Sequence, residues 1–183
     1  MIQGERVRLR AIEREDIPRF LKWLNDPDLR RFLNMYLPLS RAQEEEWFEQ
    51  QLKDESQRVL AIETAEGEHI GNIGLHRINW KDRCAELGVF IGDSQFWGQG
   101  YGTDAVRTLL RLAFEEMGLH RVSLRVFDFN QRAIRCYQRC GFRQEGRLRE
   151  GHFTAGGYHD VLLLGVLARE FLSPGEYPEG GER

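Results

Sequence analysis

The chain has 183 residues, the length of one globular domain and short for two, and its composition (41% hydrophobic, 30% charged, 11% aromatic) excludes a disordered or fibrous protein. With 26 Lys and Arg against 29 Asp and Glu, the net charge of -3 supplies no field for a phosphate backbone, so no nucleic-acid partner is expected. The start lacks an apolar run of signal-peptide length, and the longest strongly apolar run, 161–168, is far short of the ~18 residues that span a bilayer; a cytoplasmic protein without membrane association is expected.

Residues 7–11 alternate apolar and polar positions as a half-buried strand does. The acidic stretch 13–16 opens a helix with Ile17, Phe20, Leu21 and Leu24 on one face, and it ends before Pro27, whose ring pushes Asp26 out of helical geometry. A loop rich in large side chains, 32–38, follows. Ser40 and Gln43 form a capping box for a second helix reaching about Lys53. Apolar runs over 59–64 and 69–78, joined by Ala65-Glu66-Gly67-Glu68, predict a hairpin, and 84–91 is a further strand.

A glycine-rich loop then leads to a helix over 102–117 with Val106, Leu109, Leu110, Ala113 and Met117 inward. A strand is expected over 121–127, a helix over 131–140 stopped by Gly141, and strands over 143–146 and 159–167 about a turn containing Gly156-Gly157. The segment 173–183, with two prolines and three glycines, is expected to fray. No repeat or linker interrupts this order, which describes one mixed α/β domain over 1–172.

Cys84, Cys136 and Cys140 make no disulfide-scaffold or zinc pattern, and the five histidines never fall at ligand spacing, so no metal is expected. Cys136 and Cys140 share a helix face and read as small buried residues. Phe96-Trp97-Gly98-Gln99-Gly100-Tyr101-Gly102-Thr103 carries more chemistry. Its glycines let the backbone turn sharply and approach a ligand, and the free N–H groups of the next helical turn make an anion site suited to a diphosphate. The segment lacks the lysine of a P-loop and the spacing of a dinucleotide fingerprint.

These residues resemble the GNAT superfamily of acyl-CoA-dependent N-acetyltransferases, whose motif [Q/R]-x-x-G-x-[G/A] is matched by Trp97 to Gly102 except at the first position. Trp97 there is similar to the branch of ribosomal-protein N-terminal and spermidine acetyltransferases. Asn130-Gln131-Arg132-Ala133, with Tyr137, Gly141 and Phe142, resembles the family's N-x-x-A-x-x-x-Y-x-x-x-G-F segment. The likeness implies the GNAT fold: a mixed α/β domain whose central, mostly antiparallel twisted sheet is splayed between its fourth and fifth strands and flanked by helices.

The resemblance also implies acetyl-CoA as co-substrate and a ternary-complex mechanism. Phe90 and Ile91 would pair their backbone with the pantetheine arm, while Trp97, Gly98, Gln99, Gly100, Tyr101, Gly102 and Thr103 cradle the diphosphate, and Asn130 and Ala133 complete the coenzyme site. Tyr137, two helical turns after Asn130, would protonate the departing thiolate, and Glu86, in the strand before the loop, is the candidate base.

The implied acceptor is a primary amine: the N-terminal amine of a protein, as in the ribosomal-protein branch, or alternatively a polyamine or an aminoglycoside. A non-catalytic acyl-CoA sensor is a further alternative, and a homodimer is expected because dimers are frequent in the family. Asp26, Asp28, Glu44 and Glu45 could attract a cation, although charged helix surfaces ordinarily serve solubility.

Overall fold

A computed structural model describes residues 1–173. In chain order the elements are β1 (Ile2–Gln3), β2 (Val7–Ala11), α1 (Ile17–Leu24), α2 (Pro27–Arg30), α3 (Arg41–Gln51), β3 (Arg58–Thr64), β4 (His69–Asn79), β5 (Cys84–Ile91), α4 (Tyr101–Arg111), β6 (Arg121–Phe127), α5 (Gln131–Arg139), β7 (Arg143–Thr154), β8 (Gly157–Leu167) and α6 (Ala168–Leu172). The strands form one eight-stranded sheet in the order β1-β2-β3-β4-β5-β6-β8-β7. Every neighbouring pair is antiparallel except β5–β6, which is parallel because α4 carries the chain across between them.

Helices cover both faces. Ile62, Ile73, Leu75 and Leu87 pack with Val106, Leu109 and Leu110 of α4, whereas Ala61 and Val59 pack with Phe20 and Trp23 of α1 and Phe48 of α3. Local chemistry sets the ends of these elements. Ser40 Oγ accepts the Gln43 N–H at 3.3 Å and Gln43 Oε1 accepts the Ser40 N–H at 2.9 Å, so α3 begins with a reciprocal cap. Gly141, at φ 90°, stops α5 in the left-handed region.

Asp104, in the first turn of α4, fastens that helix to the sheet by accepting the N–H groups of Glu5, Arg6 and Val7 at 3.2, 2.7 and 2.9 Å. Asp16 does the same for the other layer, accepting from Arg10 at 2.7 and 2.8 Å and contacting His69 Nδ1 at 3.1 Å.

Three expectations change. The helix expected to about Lys53 ends at Gln51, and that expected over 102–117 is α4 followed by a wider π-helical turn at Leu112–Glu116. The strand expected over 143–146 runs to Thr154, because β7 is an exposed edge strand whose polar residues carry no alternation, and pairing with β8 extends it through two register shifts. Apart from Ser173, the segment expected to fray lies outside the described residues.

Candidate active site

Strand β5 is paired with β4 as far as Gly71–Ile91, but with β6 only at Cys84–Arg121, Ala85–Val122 and Glu86–Ser123. Beyond those pairs the two strands diverge. The opening holds a cleft of about 650 Å³ walled by the rest of β5, the end of β6, the glycine loop and α5. Phe90 and Ile91 line it on the unpaired edge of β5, where an extended ligand can add as a strand would. The Ile91 carbonyl already accepts the Trp97 indole N–H at 2.8 Å.

The loop turns through Gly98 at φ 75° and Gly100 at φ 92°, a left-handed backbone that side chains disfavour. Gly100 is the N-cap of α4 and brings no side-chain cap, so the first-turn amides beside Gly102 and Thr103 remain available to an anion at the cleft wall. Trp97, Gly98, Gly100, Gly102 and Thr103 line the cleft. Gln99 and Tyr101 do not: the Gln99 side chain donates to the Gln95 carbonyl, and the Tyr101 ring packs edge-on to Phe96 at 5.6 Å.

Helix α5 presents its N-terminal end and one face to the cleft. Asn130 is its N-cap, with Oδ1 accepting the Ala133 N–H at 3.3 Å, and both residues line the opening. Tyr137 also lines it, buried at 8% exposure, and among the described residues its hydroxyl has no hydrogen-bond partner. Burial, reinforced by the Cys136 and Cys140 thiols, pushes the phenol well above its ordinary pKa and keeps it protonated. Cys136 and Cys140 are neighbouring thiols one helical turn apart; the Cys140 thiol beside it and the Thr103 hydroxyl, which donates to Cys136 Sγ at 3.4 Å, pull the Cys136 thiol below its ordinary range.

The sequence motif does not single out Arg132. Its guanidinium lies 3.9 Å from the Trp97 ring centroid and 5.5 Å from that of Phe32. Trp97 thus brings no cation itself but provides a face on which Arg132 places one at the cleft wall. Arg77, Arg125, Arg135 and Arg139 line the same opening, and Glu86 is the one carboxylate among its described lining residues. The chemistry fits an acyl-CoA, whose phosphates need cations and free amides and whose pantetheine arm needs an open strand edge.

Glu86 is held by Arg77 at 2.8 Å and Arg125 at 3.6 Å. Its cross-strand partner is His76, whose imidazole is lowered in pKa by burial and by Arg77 against the opposing pull of Glu86. A neutral ring beside the one carboxylate among the described lining residues is a feature that metal-ligand spacing did not reveal. No group of three or more His, Cys, Asp or Glu side chains able to hold a metal occurs among the described residues, and none of the described helices is long and apolar enough to cross a membrane.

Residues 6–143 match the acetyltransferase (GNAT) domain family. A spermidine N(1)-acetyltransferase of Vibrio cholerae is 32% identical over 171 residues, spanning 92% of this chain and 96% of that enzyme. The candidate ribosomal N-acetyltransferase YdaF of Bacillus subtilis is 36% identical over 106 residues, 58% of this chain and 57% of that protein. The crystal structure of the Vibrio cholerae spermidine N-acetyltransferase in complex with CoA and spermine superposes with a TM-score of 0.87 at 28% identity, covering 93% of this chain and 100% of that one. The chain belongs to the GNAT acetyltransferase family and is an acyl-CoA-dependent N-acetyltransferase that uses acetyl-CoA.

Proposed function

We propose that this enzyme acetylates a primary amine of a polyamine. The observation that carries this choice is the extent of the likeness to spermidine acetyltransferases, nearly the whole of both chains, whereas the ribosomal relative is matched over little more than half. A protein N-terminus, the first expectation, is less well supported. The Vibrio cholerae enzyme also has a dodecameric structure, similar to this chain at a TM-score of 0.81, which supports an assembly larger than the expected dimer.

Acetyl-CoA supplies the activated thioester carbonyl. The amine arrives as an ammonium with pKa roughly 10 and must lose a proton before its lone pair forms the N–C bond as the C–S bond breaks. Glu86 draws the ammonium to the floor of a cleft otherwise lined by arginines and takes its proton, directly or through water. Its pair with Arg77 is exposed on the arginine side, so an incoming ammonium displaces that guanidinium at little cost. Tyr137, protonated and unpartnered, donates to the sulfur as charge develops there.

Thiol release from acetyl-CoA tests the reading, with spermidine, an aminoglycoside and a short peptide bearing a free N-terminus compared separately. Spermidine should give the highest kcat/KM; a peptide leading the panel would overturn the polyamine assignment. Tyr137→Phe should lower kcat about 100-fold with little change in the acetyl-CoA KM. An unchanged kcat would remove Tyr137 from the chemistry.

A further inference from the structure

A second cavity, of about 390 Å³, lies where α3 crosses the sheet, and Gly88, Val89 and Phe90 border both it and the coenzyme cleft. Val59, Gly74 and Gly88 stand directly opposite one another on β3, β4 and β5, so they share a face. Two positions along, His76 of β4 stands opposite Glu86 of β5 on that same face. The adjacent glycines leave the middle of the face without side chains, and the His76 imidazole leans into that space: a methyl group on Gly88 would lie 3.1 Å from its Nε2. His76 therefore reaches the stretch of β5 where cavity and cleft meet, beside Glu86.

The neighbours of the ring fix its tautomer. The Gln57 amide nitrogen donates to the Asp54 carboxylate, so Gln57 Oε1 is the atom turned toward His76, 3.2 Å from Nδ1. An amide oxygen only accepts, so Nδ1 carries the hydrogen. Burial, with Arg77, outweighs the pull of Glu86 and keeps the ring neutral, which leaves a lone pair on Nε2. Among the described residues nothing donates to that nitrogen. Both oxygens of Glu86, by contrast, face guanidinium groups, Oε2 that of Arg77 at 2.8 Å and Oε1 that of Arg125 at 3.6 Å. The other titratable side chain among the described residues lining the cavity is Glu44 on α3, above the glycines and 4% exposed. Its carboxyl has neither a cation nor a hydrogen-bond donor among the described residues, and burial alone pushes it up to about 7.

We infer that His76 is the final holder of the proton shed by the acceptor amine: Glu86 receives that proton from the ammonium and hands it to His76 Nε2, directly or through a water in the space above Gly88. Passing the proton on restores the carboxylate that Arg77 and Arg125 face, and the carboxylate in turn favours the new imidazolium across the strand pair. The freed lone pair of the amine forms the N–C bond as the C–S bond breaks, and sulfur takes the Tyr137 hydroxyl proton. The second proton of the amide nitrogen restores Tyr137, and half-buried His76 releases its own to solvent. This route rests on the roles proposed above for Glu86 and Tyr137 and adds one group to them. It holds for any acceptor that arrives as an ammonium.

The test compares wild type with His76→Asn, whose amide can still donate to Gln57, and with Gln57→Glu, which sets a carboxylate against Nδ1 and so raises the pKa of the ring. The kcat for spermidine is followed against pH, and the turnover of 2,2,2-trifluoroethylamine, a weakly basic amine already neutral at pH 7, is measured beside it. Wild-type kcat for spermidine should fall on the acid side as solvent protonates His76. His76→Asn should lower kcat for spermidine about 100-fold at pH 7 and abolish that acidic limb, while its turnover of trifluoroethylamine stays within about 3-fold of wild type. Gln57→Glu should move the acidic limb to higher pH. A His76→Asn enzyme that keeps the kcat and the acidic limb of wild type overturns the relay and leaves the polyamine reading standing. So does one that loses the same factor with both amines, since a structural role would not distinguish them. If His76→Asn does not fold, Gln57→Glu decides: a limb moved to higher pH supports the relay, and an unmoved limb overturns it. A peptide that outpaces spermidine overturns the polyamine reading alone, and the pH comparison then runs on the peptide. A wild type that acetylates no amine overturns both.

Discussion

Replacing Asp104 by Asn should loosen the whole coenzyme site without touching it. The Asp104 carboxylate accepts three backbone N–H groups from the turn before β2, at 3.2, 2.7 and 2.9 Å, and that of Val7 belongs to a fully buried residue. Asn keeps the shape but has one acceptor oxygen, so at best two neutral hydrogen bonds replace three charge-assisted ones. A charge-assisted bond contributes about 1.5–3 kcal/mol and a neutral one about 0.5–1.5, while water compensates part of the loss at the exposed Glu5 and Arg6 amides; a net cost of about 2–3 kcal/mol follows. For a chain of this length that corresponds to a fall of about 5–10 °C in Tm.

The turn held by Asp104 also carries Arg6, whose guanidinium donates to the Gln99 carbonyl in the glycine loop. With the glycine loop as the proposed diphosphate cradle, the acetyl-CoA KM should therefore rise about 3- to 10-fold with a smaller change in kcat. Differential scanning calorimetry and initial rates check the two halves. A variant that melts within about 1 °C of wild type with the same KM would show that Val106, Leu109 and Leu110 alone hold α4 in place.

Arg132→Ala should raise the acetyl-CoA KM about 10-fold and flatten its dependence on salt, measured by initial rates at increasing ionic strength; a KM that stays put would separate the cation on Trp97 from phosphate binding. Glu44 has a folded-state pKa raised to about 7, so the native state holds its proton longer than the unfolded chain, and stability falls as pH rises from the ordinary carboxyl range through about 7. Glu44→Gln should remove this loss and stabilise the protein by about 2 kcal/mol at pH 8, a figure discounted for water in the cavity, while melts at pH 4 should differ little. Asp16 behaves oppositely. Burial alone would raise its carboxyl, but the hydrogen bonds from Arg10, His69 and the Glu13 N–H outweigh that and hold it well below the usual range. Its contribution is full above the unfolded value near 3.8 and is lost as pH falls below it, so urea titrations of Asp16→Asn should differ from wild type by several kcal/mol at pH 7 and converge under strong acid.

Features governed by neighbours in the chain were legible in advance. The reciprocal cap at Ser40 and Gln43, the left-handed stop at Gly141, the limits of β5 and β6, and the glycine loop opening a helix all follow from short-range sterics and hydrogen bonding, which a string of residues records directly. The Asn130 to Tyr137 spacing was legible too, because a helix repeats its face every two turns. Strand β7 was only partly so: an edge strand with water on most of its side chains has no reason to alternate, and its length comes from β8.

The sequence by itself therefore determined the order and type of elements, the glycine loop that opens α4 and the residues that match the family's motifs. Tertiary structure decided where those groups lie relative to one another. The abrupt end of β5–β6 pairing after Glu86, the arginines on that carboxylate, the stacking of Arg132 on Trp97 and the isolation of Glu44 above two glycines join residues tens of positions apart. Charge on an exposed helix and charge buried beside an apolar cavity are written with the same letter. Only packing removes the water that makes them different.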